Sequence, residues 1–185
     1  IDTRKEWLTI DEVNLMYNTN LMRNNIINAF LLSCFTGLRY SDLARLKQEN
    51  ITNEGGNLYI TVVQQKTSNV NRIPVPVQAV GLLSRGAGDK DALIFPELAV
   101  SSTVSVALRA FLLACGIEKK ITFHSARHTY AIAVYGVTND LYVTKELLGH
   151  KDIKTTQIYA KMSDKRKLEA VRQLQEQIYQ DGKKE

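Results

Sequence analysis

Apolar and polar positions along the chain follow two periods, which predict helices interrupted once by short strands. Thr9 followed by Glu12 is a capping-box pattern, so we expect a first helix that runs to about Asn18. A second helix is predicted over about 22–35 and ends at Gly37, and Ser41 is expected to cap the segment that follows. This helix is predicted to be buried by its apolar positions, which are Ile26, Ile27, Phe30, Leu31 and Cys34.

Three strand-like segments follow at about 50–52, 58–64 and 72–75, and they predict a small antiparallel sheet at one edge of the molecule. A short helix is predicted over about 77–83. The next helix has Ser101 or Ser102 as its cap and ends at Gly116, and another begins near Ser125. The predicted fold is therefore mainly α with a small antiparallel β-sheet, which is an α+β arrangement.

The stretch from His124 to Tyr159 contains all three histidines of the chain, at 124, 128 and 150. His124 and Arg127 are three residues apart, so on a helix they lie on one face. Gly149 predicts a helix end directly before His150, and a helical pattern resumes around Tyr159. The spacing thus predicts a tyrosine, an arginine and two imidazoles within reach of one another.

These residue types suit phosphoryl transfer. A tyrosine hydroxyl has a reference pKa of about 10 and needs a base or nearby cations before it acts as a nucleophile. A guanidinium fits phosphate oxygens, and histidine exchanges protons near neutral pH. The sequence has no metal-ligand spacing, and Cys34 and Cys115 are far apart, so we predict no metal, no other cofactor and no disulfide. Both cysteines are interpreted as buried small hydrophobes.

Five spaced motifs resemble the catalytic domain of the tyrosine recombinases, the phage integrase family. They are TGLRYSDL, QQKTS, HSAR, LLGH and TTQIYAK, in the order that the family has them. Five motifs in order are far more specific than one His-x-x-Arg. The resemblance covers nearly the whole chain and fills the six active-site positions of the family with Arg39, Lys66, His124, Arg127, His150 and Tyr159.

The resemblance implies a role for each of these residues. Tyr159 would attack a DNA backbone phosphate and form a 3′-phosphotyrosyl intermediate. Arg39 and Arg127 would stabilise the charge on the phosphate oxygens, and Lys66 would protonate the leaving oxygen. His150 would donate a hydrogen bond to a non-bridging oxygen.

Three neighbouring residues receive secondary interpretations. His124 is expected either to accept a proton or to hydrogen-bond the phosphate. His128 is predicted to point elsewhere on its helix and to be structural, and Asp42 to orient Arg39. The other tyrosines considered as nucleophiles are assigned to core or surface packing, and they are Tyr130, Tyr135, Tyr142 and Tyr179.

Charge and length agree with a DNA partner. The net charge of +5 and a pI of about 9.2 favour a polyanion, and 44% hydrophobic residues are enough for one core. We expect one catalytic domain over 1–185, with a core at 1–162 and a helical tail at 163–185, and no upstream DNA-clamping domain in this chain. The apolar stripe of the tail fits packing on its own core or on a neighbouring protomer.

No signal peptide or membrane span is visible in the sequence, so a cytoplasmic, nucleoid-associated location is expected. The predicted partners are double-stranded DNA, three further copies of the chain on synapsed DNA, and an accessory DNA-bending protein. Integration and excision of a mobile element is the first choice of role, because FTGLRYSDLARL and SARHTYA resemble integrases of Bacteroides-type bacteria. A DNA invertase, a chromosome-dimer resolvase, a type IB topoisomerase and a non-catalytic DNA-binding protein are the alternatives.

Overall fold

Helices form most of the structure, and three short strands lie between the third helix and the fourth. A computed structural model of the chain describes residues 6–63, 70–83, 89–99 and 101–161. Its elements are α1 (Ile10–Asn18), α2 (Asn25–Thr36), α3 (Tyr40–Leu43), β1 (Ile51–Glu54), β2 (Asn57–Val63), β3 (Val70–Val75), α4 (Ser101–Ala114), α5 (Phe123–Thr138), α6 (Leu141–Leu148) and α7 (Lys154–Lys161). The predicted fold class, mainly α with a small antiparallel sheet, is confirmed.

Helix α2 lies at the centre of the core and packs against α1, α4, α5 and β3. Ile27, Phe30 and Leu31 are fully buried, and each such side chain stabilises the fold by about 1.5–3 kcal/mol. The helix begins three residues later than predicted, because the Asn24 side chain accepts a hydrogen bond from the backbone N–H of Ile27 and so caps the first turn. Because α2 is buried, the end of this helix fixes the position of Gly37 and of Arg39, two residues later.

The first helix begins as the sequence predicts. The Thr9 hydroxyl accepts from the backbone N–H of Glu12 at 3.2 Å, and the Glu12 carboxylate accepts from the backbone N–H of Thr9 at 2.7 Å. Glu12 also forms an ion pair of 2.6 Å with Lys119, which precedes α5. The capping box thus joins the start of the described chain to the segment that leads into α5.

The sheet has the order β1-β2-β3 and is antiparallel throughout. Leu58 pairs with Val75 and Ile60 with Ile73, and all four side chains are buried because alternate residues of a strand face the core. On the other face, the Arg72 guanidinium lies 3.7 Å from the centre of the Tyr59 ring and 2.6 Å from Glu54. These contacts hold together the base of the β2–β3 hairpin.

The predicted helix at 77–83 is wound differently. Val77–Leu82 is a 3₁₀ helix, as are Gln48–Asn50 and Pro96–Ala99. Pro76 directly precedes the 3₁₀ helix Val77–Leu82, and its ring fixes the backbone φ angle at the start of that helix.

The last three described helices build a second, smaller core. Ala131 of α5, Leu148 of α6 and Tyr159 of α7 are its buried members, and Tyr130 packs against them. Gly149 ends α6 with a φ of 64°, so the chain reverses there as predicted. This small core fixes the position of Tyr159.

Candidate active site

Arg39 lies where two helices meet. Gly37 ends α2 with a φ of 70°, and Arg39 is the N-cap residue of α3. We predicted that Ser41 would cap this helix, and that prediction is wrong. The Asp42 carboxylate instead accepts from the backbone N–H of Arg39 at 3.3 Å, since a carboxylate at the third helical position satisfies an otherwise unpaired N–H. Asp42 therefore holds the Arg39 backbone, in agreement with its predicted orienting role.

Arg127 is held by two backbone carbonyls from distant parts of the chain. Its Nη1 donates to the carbonyl oxygen of Gly37 and its Nη2 to that of Leu148, both at 2.7 Å. The side chain is only 4% exposed. Burial, and after it the charge of Arg39, lowers the pKa of Arg127 to about 10, so the guanidinium stays charged near neutral pH. These two bonds use two of the five N–H groups of the guanidinium, and within the described part of the chain the other three are available to acceptors such as phosphate oxygens.

The helix that carries His124 and Arg127 begins at Phe123, two residues before the predicted start. His124 is exposed, whereas Arg127 is buried in the next turn. The ring of His124 packs edge-on against that of His128, with 4.6 Å between the ring centres. His124 thus lies at the surface, beside the buried side chain of His128.

His128 contacts the candidate nucleophile, so the prediction that it points elsewhere is wrong. Its Nδ1 lies 3.0 Å from the Tyr159 hydroxyl oxygen, in a buried hydrogen bond. The prediction assumed that only one face of α5 borders the site. Helix α7 packs across α5, so the residue after Arg127 also reaches the site. A signal was present in the sequence, because His128 directly follows the motif arginine.

His150 follows Gly149 and is oriented by a threonine that lies outside the predicted site residues. The His150 Nδ1 lies 2.9 Å from the hydroxyl oxygen of Thr156, which is fully buried in α7. Burial is the main reason why the pKa of His150 falls to about 4, and the positive charges of Arg127 and Arg39 lower it further. His150 is therefore neutral at neutral pH. A polar side chain six residues after the motif histidine was the available signal.

Tyr159 is 4% exposed, and two opposing effects act on its hydroxyl. Burial raises its pKa, and the charges of Arg127 and Arg39 lower it, but burial is the larger effect and the pKa lies above its ordinary value. The hydroxyl is therefore protonated near neutral pH and must lose its proton before it can act as a nucleophile. The cluster thus brings together residues 39, 127, 128, 150 and 159.

The chain matches the Phage integrase family over residues 6–166. It belongs to that family. The resemblance to tyrosine recombinases drawn from the five motifs is thereby confirmed.

Relatives and solved structures agree with this assignment. The tyrosine recombinase XerA of Pyrococcus furiosus is 34% identical over 151 residues, which are 76% of this chain and 51% of XerA. The XerH site-specific recombinase, in a post-cleavage complex with its difH substrate, has a TM-score of 0.72 at 18% identity, covering 89% of this chain and 52% of XerH. The Tn1549 transposon integrase bound to circular intermediate DNA has a TM-score of 0.61 at 16% identity, over 86% of this chain and 63% of its own. This chain spans about half the length of the relatives it matches.

A polar cleft connects the sheet of this phage integrase-family chain to His150. Val70 and Asn71 of β3 line one side, and Gly149 and His150 line the other. The Asn71 side-chain amide donates to the backbone carbonyl of Leu147 at 3.4 Å. Strand β3 is thus fixed beside His150. Lys66 and the tail at 163–185 lie outside the described residues.

The remaining predictions concern other tyrosines and the cysteines. Tyr130 packs against the small core, and burial raises its pKa to about 12, whereas Tyr142 is 72% exposed. Cys34 is buried as predicted, but Cys115 is half-buried, and both are free thiols. Within the described ranges, no helix is long and apolar enough to cross a membrane.

Proposed function

We propose that this chain is the catalytic part of a site-specific DNA recombinase that cleaves and rejoins strands through Tyr159. The observation that carries the proposal is the convergence of charge on one buried hydroxyl. Arg39 and Arg127 are 88 positions apart in the chain, yet the charges of both act on the Tyr159 hydroxyl and on the His150 ring. Two cations beside a tyrosine and a neutral imidazole suit attack on a phosphodiester.

The chemistry is a transesterification. The Tyr159 oxygen attacks phosphorus and forms a phosphotyrosyl ester to the 3′ side, while the bond from phosphorus to the 5′ oxygen breaks. Arg39 and Arg127 stabilise the charge that develops on the non-bridging oxygens. A 5′-hydroxyl from a partner duplex reverses the step. One phosphoester bond replaces another, so the reaction consumes no nucleoside triphosphate.

His150 and Thr156 form one unit in this proposal. Because His150 is neutral, its ring carries a single N–H. The His150 Nδ1 and the Thr156 hydroxyl oxygen are in hydrogen-bond contact. We propose the tautomer in which the hydroxyl donates to Nδ1 and the ring N–H lies on Nε2, where it donates to a non-bridging phosphate oxygen. His124, exposed at the start of α5, acts either as a second phosphate donor or as the proton acceptor.

Lys66 completes the proposal as the acid that protonates the leaving 5′ oxygen. Its support is the resemblance of QQKTS to the family's hairpin lysine, together with the position of β3. Val70, four residues after Lys66, lines the same cleft as His150.

The proposed substrate is double-stranded DNA, on which four copies of the chain synapse two duplexes. The DNA complex of XerH, which shares the fold, supports the first part, and the net charge of +5 agrees with it. The tetramer, an accessory DNA-bending protein, a nucleoid location and the division into a core and a C-terminal tail stay predictions.

Integration and excision of a mobile element is the proposed role. The resemblance of FTGLRYSDLARL and SARHTYA to Bacteroides-type integrases supports it, as does the fold shared with the Tn1549 transposon integrase. DNA inversion and chromosome-dimer resolution use the same chemistry and are the alternatives within the family.

Covalent capture tests the proposal. The protein is incubated without metal with nicked duplexes from the flanks of its own gene, and the products are separated on a denaturing gel. We expect a protein–DNA adduct with the unmodified chain and with Tyr142→Phe, an exposed tyrosine of α6. Tyr159→Phe should bind the same DNA and form no adduct, because it lacks the attacking oxygen.

Each competing function gives a different result. Binding without an adduct, also in the full-length protein, indicates a non-catalytic DNA-binding protein and overturns the proposal. An adduct that remains in Tyr159→Phe removes this residue from the mechanism. Relaxation of supercoils by a monomer that never joins two sites identifies a type IB topoisomerase.

A further inference from the structure

The buried hydrogen bond between His128 and Tyr159 has no role in the mechanism above. The two atoms are 3.0 Å apart, His128 is 7% exposed and Tyr159 is 4% exposed. The ring centres are 5.7 Å apart and inclined at 60°, so the Nδ1 edge of the imidazole meets the hydroxyl. An imidazole at this distance is within reach of the proton that Tyr159 must lose.

We propose that His128 is the catalytic base that accepts the Tyr159 proton during attack on the phosphate. This inference rests on the proposed function. In the forward step the bond from Tyr159 oxygen to hydrogen breaks, the hydrogen moves to Nδ1 of His128, and the oxygen bonds to phosphorus. In the reverse step the departing phenolate takes the same proton back from Nδ1. His128 is thus neutral before and after each cycle.

The position of His124 favours this assignment over the other histidine on α5. His124 is exposed, and its ring packs edge-on against that of His128, one turn before the residue that contacts the tyrosine. His128 contacts the hydroxyl directly. His124 is then left to hydrogen-bond the phosphate, which resolves the two roles that the sequence left open.

Electrostatics makes the proton transfer depend on substrate. Among the described residues, the charged and titratable groups that face the Tyr159–His128 pair are His124, Arg127 and Tyr130 from α5, His150 from the turn after α6, and Arg39 from the start of α3. The charges of Arg127 and Arg39 act on the Tyr159 hydroxyl and on the His150 ring. A bound phosphate adds negative charge beside these two cations, so the electrostatic environment of the proton transfer differs between the free and the DNA-bound chain.

The kinetic test compares His128→Asn with His128→Ala in the capture assay. Asparagine places a polar atom near the position of Nδ1, so it can hold the hydroxyl, but it cannot accept a proton. Val137→Asn puts the same side chain at an 81% exposed position of the same helix and is the matched control. We expect both His128 variants to bind DNA normally and to form the adduct about 10²-fold more slowly or worse, with Val137→Asn unchanged.

Two further measurements separate a base from a structural residue. The adduct rate of the wild type should rise with pH and level off above the pKa of the histidine, whereas the rate of His128→Asn should keep rising in proportion to hydroxide. A substrate with sulfur in place of the bridging 5′ oxygen needs no acid for its leaving group. The His128→Asn defect should persist on it, because the defect lies on the nucleophile side.

The inference is overturned if His128→Asn forms the adduct as fast as the wild type or faster, with the same pH profile. The hydrogen bond between His128 and Tyr159 would then only restrain the tyrosine side chain. If the variants do not fold, nitrogen NMR of the histidine side chains in the wild type decides. We expect an unprotonated Nδ1 on His128 whose signal moves in Tyr159→Phe, and a protonated Nδ1 would exclude the base. Loss of the adduct in the wild type itself would instead reject the proposed function.

Discussion

Replacing Gly37 with alanine tests the packing under the Arg127 guanidinium. Gly37 has a φ of +70°, and a Cβ added there would lie 2.5 Å from Cδ1 and 2.9 Å from Cε1 of the Tyr130 ring. It would also lie 3.1 Å from Leu148. The Tyr130 ring must therefore move, and with it the small core that holds Tyr159. The carbonyl of Gly37 is itself one of the two acceptors that fix Arg127.

The size of the effect follows from two separate costs. A left-handed backbone costs an alanine about 1–2 kcal/mol. Overpacking against the ring adds about 1–3 kcal/mol. Gly116 provides the matched control, since it also has a φ of +70° and a Cβ there meets nothing within 4 Å. Gly116→Ala should therefore show the backbone cost alone, and the difference between the variants measures the packing.

The assay is thermal unfolding followed by circular dichroism, with covalent capture alongside. Gly37→Ala should melt about 2–12 °C below Gly116→Ala, as expected for an additional 1–3 kcal/mol in a chain of this size. Its adduct rate should fall about tenfold or more because Arg127 loses its position. Equal melting temperatures for the two variants, together with an unchanged adduct rate, would refute the reasoning.

Three further predictions use the same cluster and the core. Arg127→Lys should slow adduct formation about 10²-fold at saturating DNA and lower the free energy of unfolding in urea by about 1–3 kcal/mol. A single ammonium nitrogen cannot replace the two Nη atoms that reach the carbonyls of Gly37 and Leu148 and still contact a phosphate. Unchanged kinetics would contradict the assigned role. His150 has a folded pKa of about 4, below its unfolded value of about 6.5, so its contribution to the free energy of unfolding is complete above pH 6.5 and is lost as the pH falls towards 4. Since the ring is only half-buried, this loss of unfolding free energy is on the order of 1–2 kcal/mol. Urea unfolding at pH 7.5 and 4.5 should show the His150 loss in the wild type, and His150→Gln should lack it. Burial raises the pKa of the Cys34 thiol, so iodoacetamide should label half-buried Cys115 first, and equal labelling rates by mass spectrometry would contradict the packing of α2.

Several elements could be predicted because short-range rules govern them. The Thr9 and Glu12 pair fixed the start of α1, and glycine at 37 and 149 marked two helix ends with positive φ. The strand-like segment at about 58–64 predicted β2, and the three segments together predicted an antiparallel sheet. Where such rules competed, the boundary moved. Asn24 capped α2 three residues late, and Arg39 rather than Ser41 took the N-cap of α3.

The local order of the motifs was enough to establish the family and to select residues 39, 127, 150 and 159 of the cluster. The sequence by itself thus selected these four residues, but it placed His128 outside the cluster and gave Thr156 no role. Only the tertiary structure decided how they pair. Whether His128 meets Tyr159, or Thr156 meets His150, depends on how α7 packs across α5 and α6. That packing angle is set by the shapes of many side chains across the whole core, and no rule acting over a few neighbouring residues contains it.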